Sequence, residues 1–426
     1  MGTIIDYLEE YGDCSFKDMP MNDVDSLVLC QFSYLKFDGM VPDVRTRGHF
    51  VPLEEVARHG DFEKLFADTR FEKENRALFT AMMAGQRYRT LKLGNYINVI
   101  EKEWETQFSA VTFLLENKDI YVAFRGTDET IVGWKEDFNM AFLSPVPCQA
   151  YSVKYLNMVA NEIHAPLVLG GHSKGGNLAV YSAMNCRPHV KQLIRKIYSM
   201  DGPGFRPETL ESGCYEAVAG RVVKILPHSS LVGMIFERDM RYEVVESTTF
   251  GLAQHDPYTW LVDGRHFVKV NDIYESRKFV NSAVNEWILS LNETQLRTFV
   301  DTLYQVVLAS QAEDLIEFTA DWKKSMNAAL SAFREVDEET AKMLKEVVKS
   351  LFETATLHMK EEVRTNGLLK GKAHPRSKTD RGNRKRRSGQ SGKKAKRGFS
   401  LRKQEKNQGK SVQDAIEAPI EEGFRE

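Results

Sequence analysis

The sequence predicts an α/β fold, a mostly parallel sheet with helices on both faces, followed by a helical appendage and a disordered basic tail. Three observations predict it. Between residues 166 and 226, short apolar runs alternate with helix-forming segments, the order of a parallel sheet joined by crossover helices. One run, Leu167-Val168-Leu169-Gly170-Gly171, passes through His172 into a glycine-flanked Ser173 and then into the helix-forming Asn177-Leu178-Ala179-Val180-Tyr181. Charge is segregated as well. Residues 364–410 hold 18 Lys or Arg against Asp380 and Glu405, about +16, which leaves about −18 on the rest of a chain of net charge −2.

At 426 residues with 42% hydrophobic content, the chain is long enough for one large domain plus appendages. Its five cysteines are scattered and lack metal-ligand spacing, so they read as free thiols in a reducing compartment. Met1-Gly2-Thr3-Ile4-Ile5-Asp6 has no basic region and no long apolar core, so no signal peptide is expected. No run approaches the roughly 18 apolar residues of a spanning helix. A cytoplasmic location follows as the expectation.

Residues 3–41 and 51–89 carry a helical apolar pattern, with Asp23 or Asp25 placed to cap a helix through Leu27, Val28, Leu29 and Phe32. They read as a helical cover rather than a site. Sheet signals begin at Tyr96, with strands over 96–100, 110–116 and 119–125 and a tight turn at Asn117-Lys118, an antiparallel hairpin or meander entering the sheet. An amphipathic helix over 149–163 leads to the strand before Ser173. Beyond it, strands are predicted over 196–200, 221–226 and 242–247, with a helix over 207–219 and a closing helix over 277–289. The domain therefore spans 1–290, with its helical cover at the N-terminus. Residues 291–364 read as two or three appended helices. Past Thr365 almost no apolar residue occurs until Phe399, so residues 365–426 cannot offset their ordering entropy and are expected to be disordered.

Gly171-His172-Ser173-Lys174-Gly175 is a G-x-S-x-G nucleophile elbow. The glycines are needed because the serine sits in a strained turn packed between strand and helix, with its hydroxyl at the C-terminal edge of the sheet. Serine needs a base within hydrogen-bond reach, and the base needs an orienting carboxylate. In an α/β-hydrolase these follow in the order Ser, acid, His. Asp201, at the end of the next strand and before Gly202-Pro203-Gly204, is the candidate acid, with a helix cap as its other reading. His255 follows a strand and precedes the closing helix, which makes it the preferred base over His266. His228 falls one strand early, and His172 is read as structural. The backbone N–H of Lys174 is one oxyanion donor, and Thr127, at the end of an earlier strand, is the second. No metal or organic cofactor is implied.

Phe124-Arg125-Gly126-Thr127, then Trp134 and Asp137, then Gly171-His172-Ser173-Lys174-Gly175-Gly176 resemble the class 3 lipases. A nearer resemblance is to a lipase-like bacterial family of unknown function, carried by Asp201-Gly202-Pro203-Gly204-Phe205, Pro227-His228-Ser229-Ser230 with Val232-Gly233, and Gln254-His255-Asp256-Pro257. It covers about residues 3–290. The resemblance implies an α/β-hydrolase-type domain with Ser173 as nucleophile and Thr127 lining the oxyanion hole. Two departures stand out. Lys174 replaces the usual leucine, and Ser229-Ser230 lies where those lipases carry their aspartate. Met200 to Phe205 instead looks like the aspartate-bearing stretch of pancreatic-type lipases, which supports Asp201. The expected activity is hydrolysis of a small-molecule ester or lipid through an acyl-enzyme. The alternative is a retired hydrolase fold serving as a scaffold, with the tail over 364–410 holding an anionic membrane surface or nucleic acid by counterion release. The oligomeric state is not readable.

Overall fold

The structure, a computed structural model, describes residues 1–273 apart from 47, 68, 70, 102–105, 128–139, 141–144, 212 and 238–240, together with 285, 286, 288, 289 and 292. The expected appendage (but for Asn292), the tail, most of the closing helix, Trp134 and Asp137 lie outside the described residues.

Eleven strands are formed among the described residues: β1 (Phe50–Pro52), β2 (Lys92–Glu101), β3 (Thr106–Leu114), β4 (Ile120–Phe124), β5 (Leu167–His172), β6 (Ile194–Met200), β7 (Val222–Pro227), β8 (Tyr242–Val245), β9 (Val262–Asp263), β10 (His266–Phe267) and β11 (Lys269–Val270). Nine of them make one sheet in the order β1-β2-β3-β4-β5-β6-β7-β8-β11, and β9 and β10 form a separate hairpin. The sheet is mixed, not mostly parallel. Pairing is parallel from β4 through β8 and antiparallel at the other four contacts. The reason is connection length: the turn at Asn117-Lys118 can only return the chain beside itself, because a parallel neighbour needs a crossover of a dozen or more residues. Lys118 takes φ 68° in that turn. Strand β1 was not foreseen, since three residues carry no readable alternation.

The helices that matter for the site are α1 (Ile4–Tyr11), α2 (Asp23–Phe32), α3 (Leu53–His59), α4 (Phe62–Phe66), α5 (Glu72–Ala84), α6 (Gln86–Arg89), α7 (Pro147–Glu162) and α8 (Lys174–Asn185). Alternation along the strands divides the core into two layers. On β4, Tyr121 and Ala123 face one layer, with α1, α2 and α5. Ile120, Val122 and Phe124 face the other, with α7 and α8. Helices therefore cover both faces.

Every residue of α2 from Val24 to Phe32 is buried. Its N-cap is Asn22, not Asp23 or Asp25: the Asn22 side chain accepts from the N–H groups of Val24 and Asp25, and the Asp25 carboxylate accepts from Asn22 N–H. Asp25 belongs to the same capping box, three residues in. The helix expected over 207–219 is two pieces, Pro207–Glu211 and Glu216–Ala219, separated where Gly213 takes φ 72°. Among the described residues no helix is long and apolar enough to cross a membrane.

Candidate active site

Strand β5 is the fifth of nine in the sheet and is buried along its whole length. Its ladder with β6 runs one residue past the strand, Ser173 N–H donating to Met200 O at 2.9 Å. Ser173 itself turns to φ 58°, ψ −130° and starts α8. A non-glycine residue there is strained, and such strain persists only where packing over-determines the turn. The packing is visible in the flanking glycines. A Cβ on Gly171 would sit 2.1 Å from the Gly175 carbonyl carbon, and a Cβ on Gly175 would sit 2.0 Å from Phe124 O. Strand, helix and the end of β4 meet with no space for a methyl group.

Asp201 follows β6 by one residue, at φ 48°, with its N–H donating to Ile225 O of β7 at 2.8 Å. Its carboxylate is 1% exposed and, among the described residues, caps no helix. Oδ2 lies 2.6 Å from His255 Nδ1, while Oδ1 accepts from Ser230 Oγ at 2.5 Å and from Gly233 N–H at 3.2 Å. With Nδ1–H donating to the carboxylate, the basic nitrogen of His255 is Nε2. His255 ends the short 3-10 turn Gly251–His255 after β8, and its side chain is 11% exposed.

The loop that carries His255 is fastened by its neighbour. Gln254, fully buried, accepts from Ser229 N–H at 2.7 Å and donates to Thr249 O, and its carbonyl accepts from Trp260 Nε1 at 2.8 Å. Gln254 Nε2 also lies 2.8 Å from His228 Nε2, so His228 is a buried partner of the loop. His266 is elsewhere, exposed on β10 in the hairpin with β9.

Ser173 is half-buried, and among the described residues no hydrogen bond joins its hydroxyl to His255. Such contacts are often long before a substrate is bound. Thr127 is half-buried in the turn after β4, next to Gly126, where an added Cβ would be 2.7 Å from His172 O; this turn and the elbow are in contact. The Lys174 side chain is buried and its Nζ donates to Gln107 O at 3.1 Å, and the residue is the first of α8. Asn177, in the first turn of α8, donates to Pro203 O at 3.2 Å and Gly204 O at 3.0 Å and accepts from Gln149 Nε2 at 2.9 Å. It ties the turn after Asp201 to the elbow helix.

One contact escaped sequence reasoning: Ser230, in the stretch set aside for want of a carboxylate, donates to Asp201. His172, read as structural, is buried, and its ring lies 4.5 Å from that of His255 at an interplanar angle of 35°. The N-terminal cover also reaches the site, through Tyr34 beyond α2, whose hydroxyl lies 3.2 Å from His172 Nδ1. Among the described residues no group of three or more His, Cys, Asp or Glu is gathered as a metal site would be. A surface trough of about 460 Å³ along α7 and Arg187 shares none of the site residues.

A sequence model of the family described as Mbeg1-like matches residues 82–305, slightly more than half of the chain. The chain belongs to the Mbeg1-like family. The lipase-like family of unknown function that the motifs resemble is this one. In this Mbeg1-like chain the match begins within α5 and runs through the elbow, Asp201 and His255, so it starts later than the expected boundary near residue 3 and leaves α1 to α4 outside. No curated protein matches. A solved structure titled "Crystal structure of M37 lipase" is similar at 15% identity and a TM-score of 0.31, over 49% of this chain and 68% of that one. That overlap is too loose to establish a shared fold.

Proposed function

We propose that the protein is a serine acyl hydrolase of the α/β-hydrolase type, acting on a carboxylic ester through an acyl-enzyme on Ser173. The observation that carries the reading is the 2.6 Å bond between Asp201 and His255, formed at the same sheet edge as a serine held in a strained, glycine-packed turn. Three chain segments separated by 28 and 54 residues converge there, in the order that the hydrolase elbow demands.

In this reading Ser173 Oγ attacks the ester carbonyl while His255 Nε2 takes its proton. Asp201 stays ionised, holds Nδ1–H and stabilises the imidazolium. The tetrahedral oxyanion is met by the Lys174 N–H, at the N-terminus of α8, and by Thr127. The imidazolium then gives its proton to the departing alkoxide, which leaves as the alcohol. Water, deprotonated by the same nitrogen, releases the acid and restores Ser173. The three donors around Asp201 hold both carboxylate oxygens in place beneath the imidazole.

A fluorophosphonate probe tests the proposal. The wild-type chain should be labelled, Ser173→Ala should not be, and Asp201→Asn should be labelled at a rate lower by about 10⁴ if the carboxylate sets the histidine tautomer. A wild-type chain that stays unlabelled would overturn it and leave the scaffold reading.

A further inference from the structure

Ring placement around His255 assigns a part to His172. Successive residues of a strand point to opposite faces of the sheet. Gly171 packs toward α8, so His172 projects to the other face, where α1, α2 and α5 lie. It is 4% exposed there. Tyr34 Oη lies 3.2 Å from its Nδ1, and Trp260 stands at 6.5 Å with its ring edge-on. The His255 ring covers the remaining side, 4.5 Å away and tilted by 35°.

His255 thus has two separate constraints. Its Nδ1 bond to Asp201 fixes one atom and leaves the ring able to rotate about that contact. A second ring against its face removes this freedom and sets the direction in which Nε2 points. We propose that His172 is a positioning residue, a ring pinned by the Tyr34 hydroxyl against which His255 is held so that Nε2 is directed at the Ser173 proton. The proposal rests on the acyl-hydrolase reading for its kinetic consequence, but the placement of His255 against Asp201 can be measured without catalysis.

The test uses the full chain and four proteins: wild type, His172→Ala, His172→Phe and Tyr34→Phe. The first readout is the second-order rate of fluorophosphonate labelling. The second is the low-field proton resonance of the Nδ1–H to Asp201 bond, which reports His255 whether or not Ser173 reacts. Loss of the ring in His172→Ala should slow labelling about tenfold or more and broaden or shift the resonance, as expected when a catalytic group is misplaced by a fraction of an ångström. His172→Phe restores a ring and should recover most of both signals, and Tyr34→Phe, which keeps the ring but unpins it, should fall between. Thermal melts of each variant separate misfolding from misplacement, and Tyr34→Phe, the mildest change, keeps the test open if His172→Ala does not fold. A wild-type resonance and rate in His172→Ala, or a His172→Phe no better than His172→Ala, would overturn the proposal. An unlabelled wild type with an intact resonance that His172→Ala disturbs would overturn the hydrolase reading and leave the positioning role standing.

Discussion

Asp201 is the residue on which the site depends most. A buried polar group is costly unless it is hydrogen-bonded, and at this carboxylate, 1% exposed, His255, Ser230 and the Gly233 N–H supply the donors. Gly233 has to be glycine, since an added Cβ would lie 2.4 Å from Asp201 Oδ1. Ser230→Ala removes one of three donors to a buried charge. The expected cost is about 1.5–3 kcal/mol of stability, read as a lower midpoint in urea at an unchanged slope. Labelling should slow as well, because the carboxylate that orients His255 is then less firmly held. Ser230 was invisible as a site residue in the sequence because a hydroxyl next to another serine has no distinguishing pattern. Only the return of the chain after β7 brings it against Asp201.

At the scale of elements, α2 is the keystone of the N-terminal layer. Its one buried charge, Asp25, is held by Arg87 of α6 through bonds of 2.9 and 2.6 Å, by Tyr7 of α1 at 2.9 Å and by Tyr88. Both members of the ion pair have fully buried side chains. Burial pushes the Tyr7 and Tyr88 phenols well above their usual range, so both stay protonated and can donate. The Arg87 guanidinium also lies 3.9 Å from the centre of the Phe16 ring. This cluster joins α1, α2 and α6, and Tyr34 follows α2 by two residues. Arg87→Met leaves the buried Asp25 without its counter-charge, at a cost of about 3–5 kcal/mol. The double variant Asp25→Asn with Arg87→Met should recover a large part of that, since the unpaired charge is gone. Denaturant unfolding of the single and double variants checks both statements. If the single variant were as stable as wild type, the pair would be contributing nothing to the hold of α2.

Taken whole, the molecule sets a parallel core, β4 to β8, between antiparallel margins. The parallel strands all end at one edge, and the first residues past β5 and β6 are Ser173 and Asp201. That edge is where ligands meet open α/β sheets. The charge division of the chain acts on the same scale. A segment of about +16 attached to a body of about −18 should bind anionic vesicles chiefly through counterion release, so affinity should fall steeply with salt. Deleting residues 365–426 is expected to abolish that binding and leave fluorophosphonate labelling intact. Co-sedimentation with phosphatidylserine vesicles over a salt series, with labelling in parallel, measures both. Lost labelling after the deletion would mean that the site needs the tail.

Local pattern alone carried the elbow, the Asn117-Lys118 turn and the strands β4 to β8, because each is written in contiguous residues: an apolar run, a glycine at a fixed offset, a break. The expectation of Asp201 as acid and His255 as base came from chain order along a hydrolase sheet, and the structure brings the two side chains within 2.6 Å. The division of 207–219 into two helices and the cap of α2 were read less well, since each is settled by a competition between neighbouring residues of similar propensity. The pairing of His255 with Asp201, the donor from Ser230 and the ring contact with His172 belong to folding in three dimensions. They join residues 29 to 83 positions apart, and side chains so far separated have no common signal in the chain until burial forces their polar atoms to find partners.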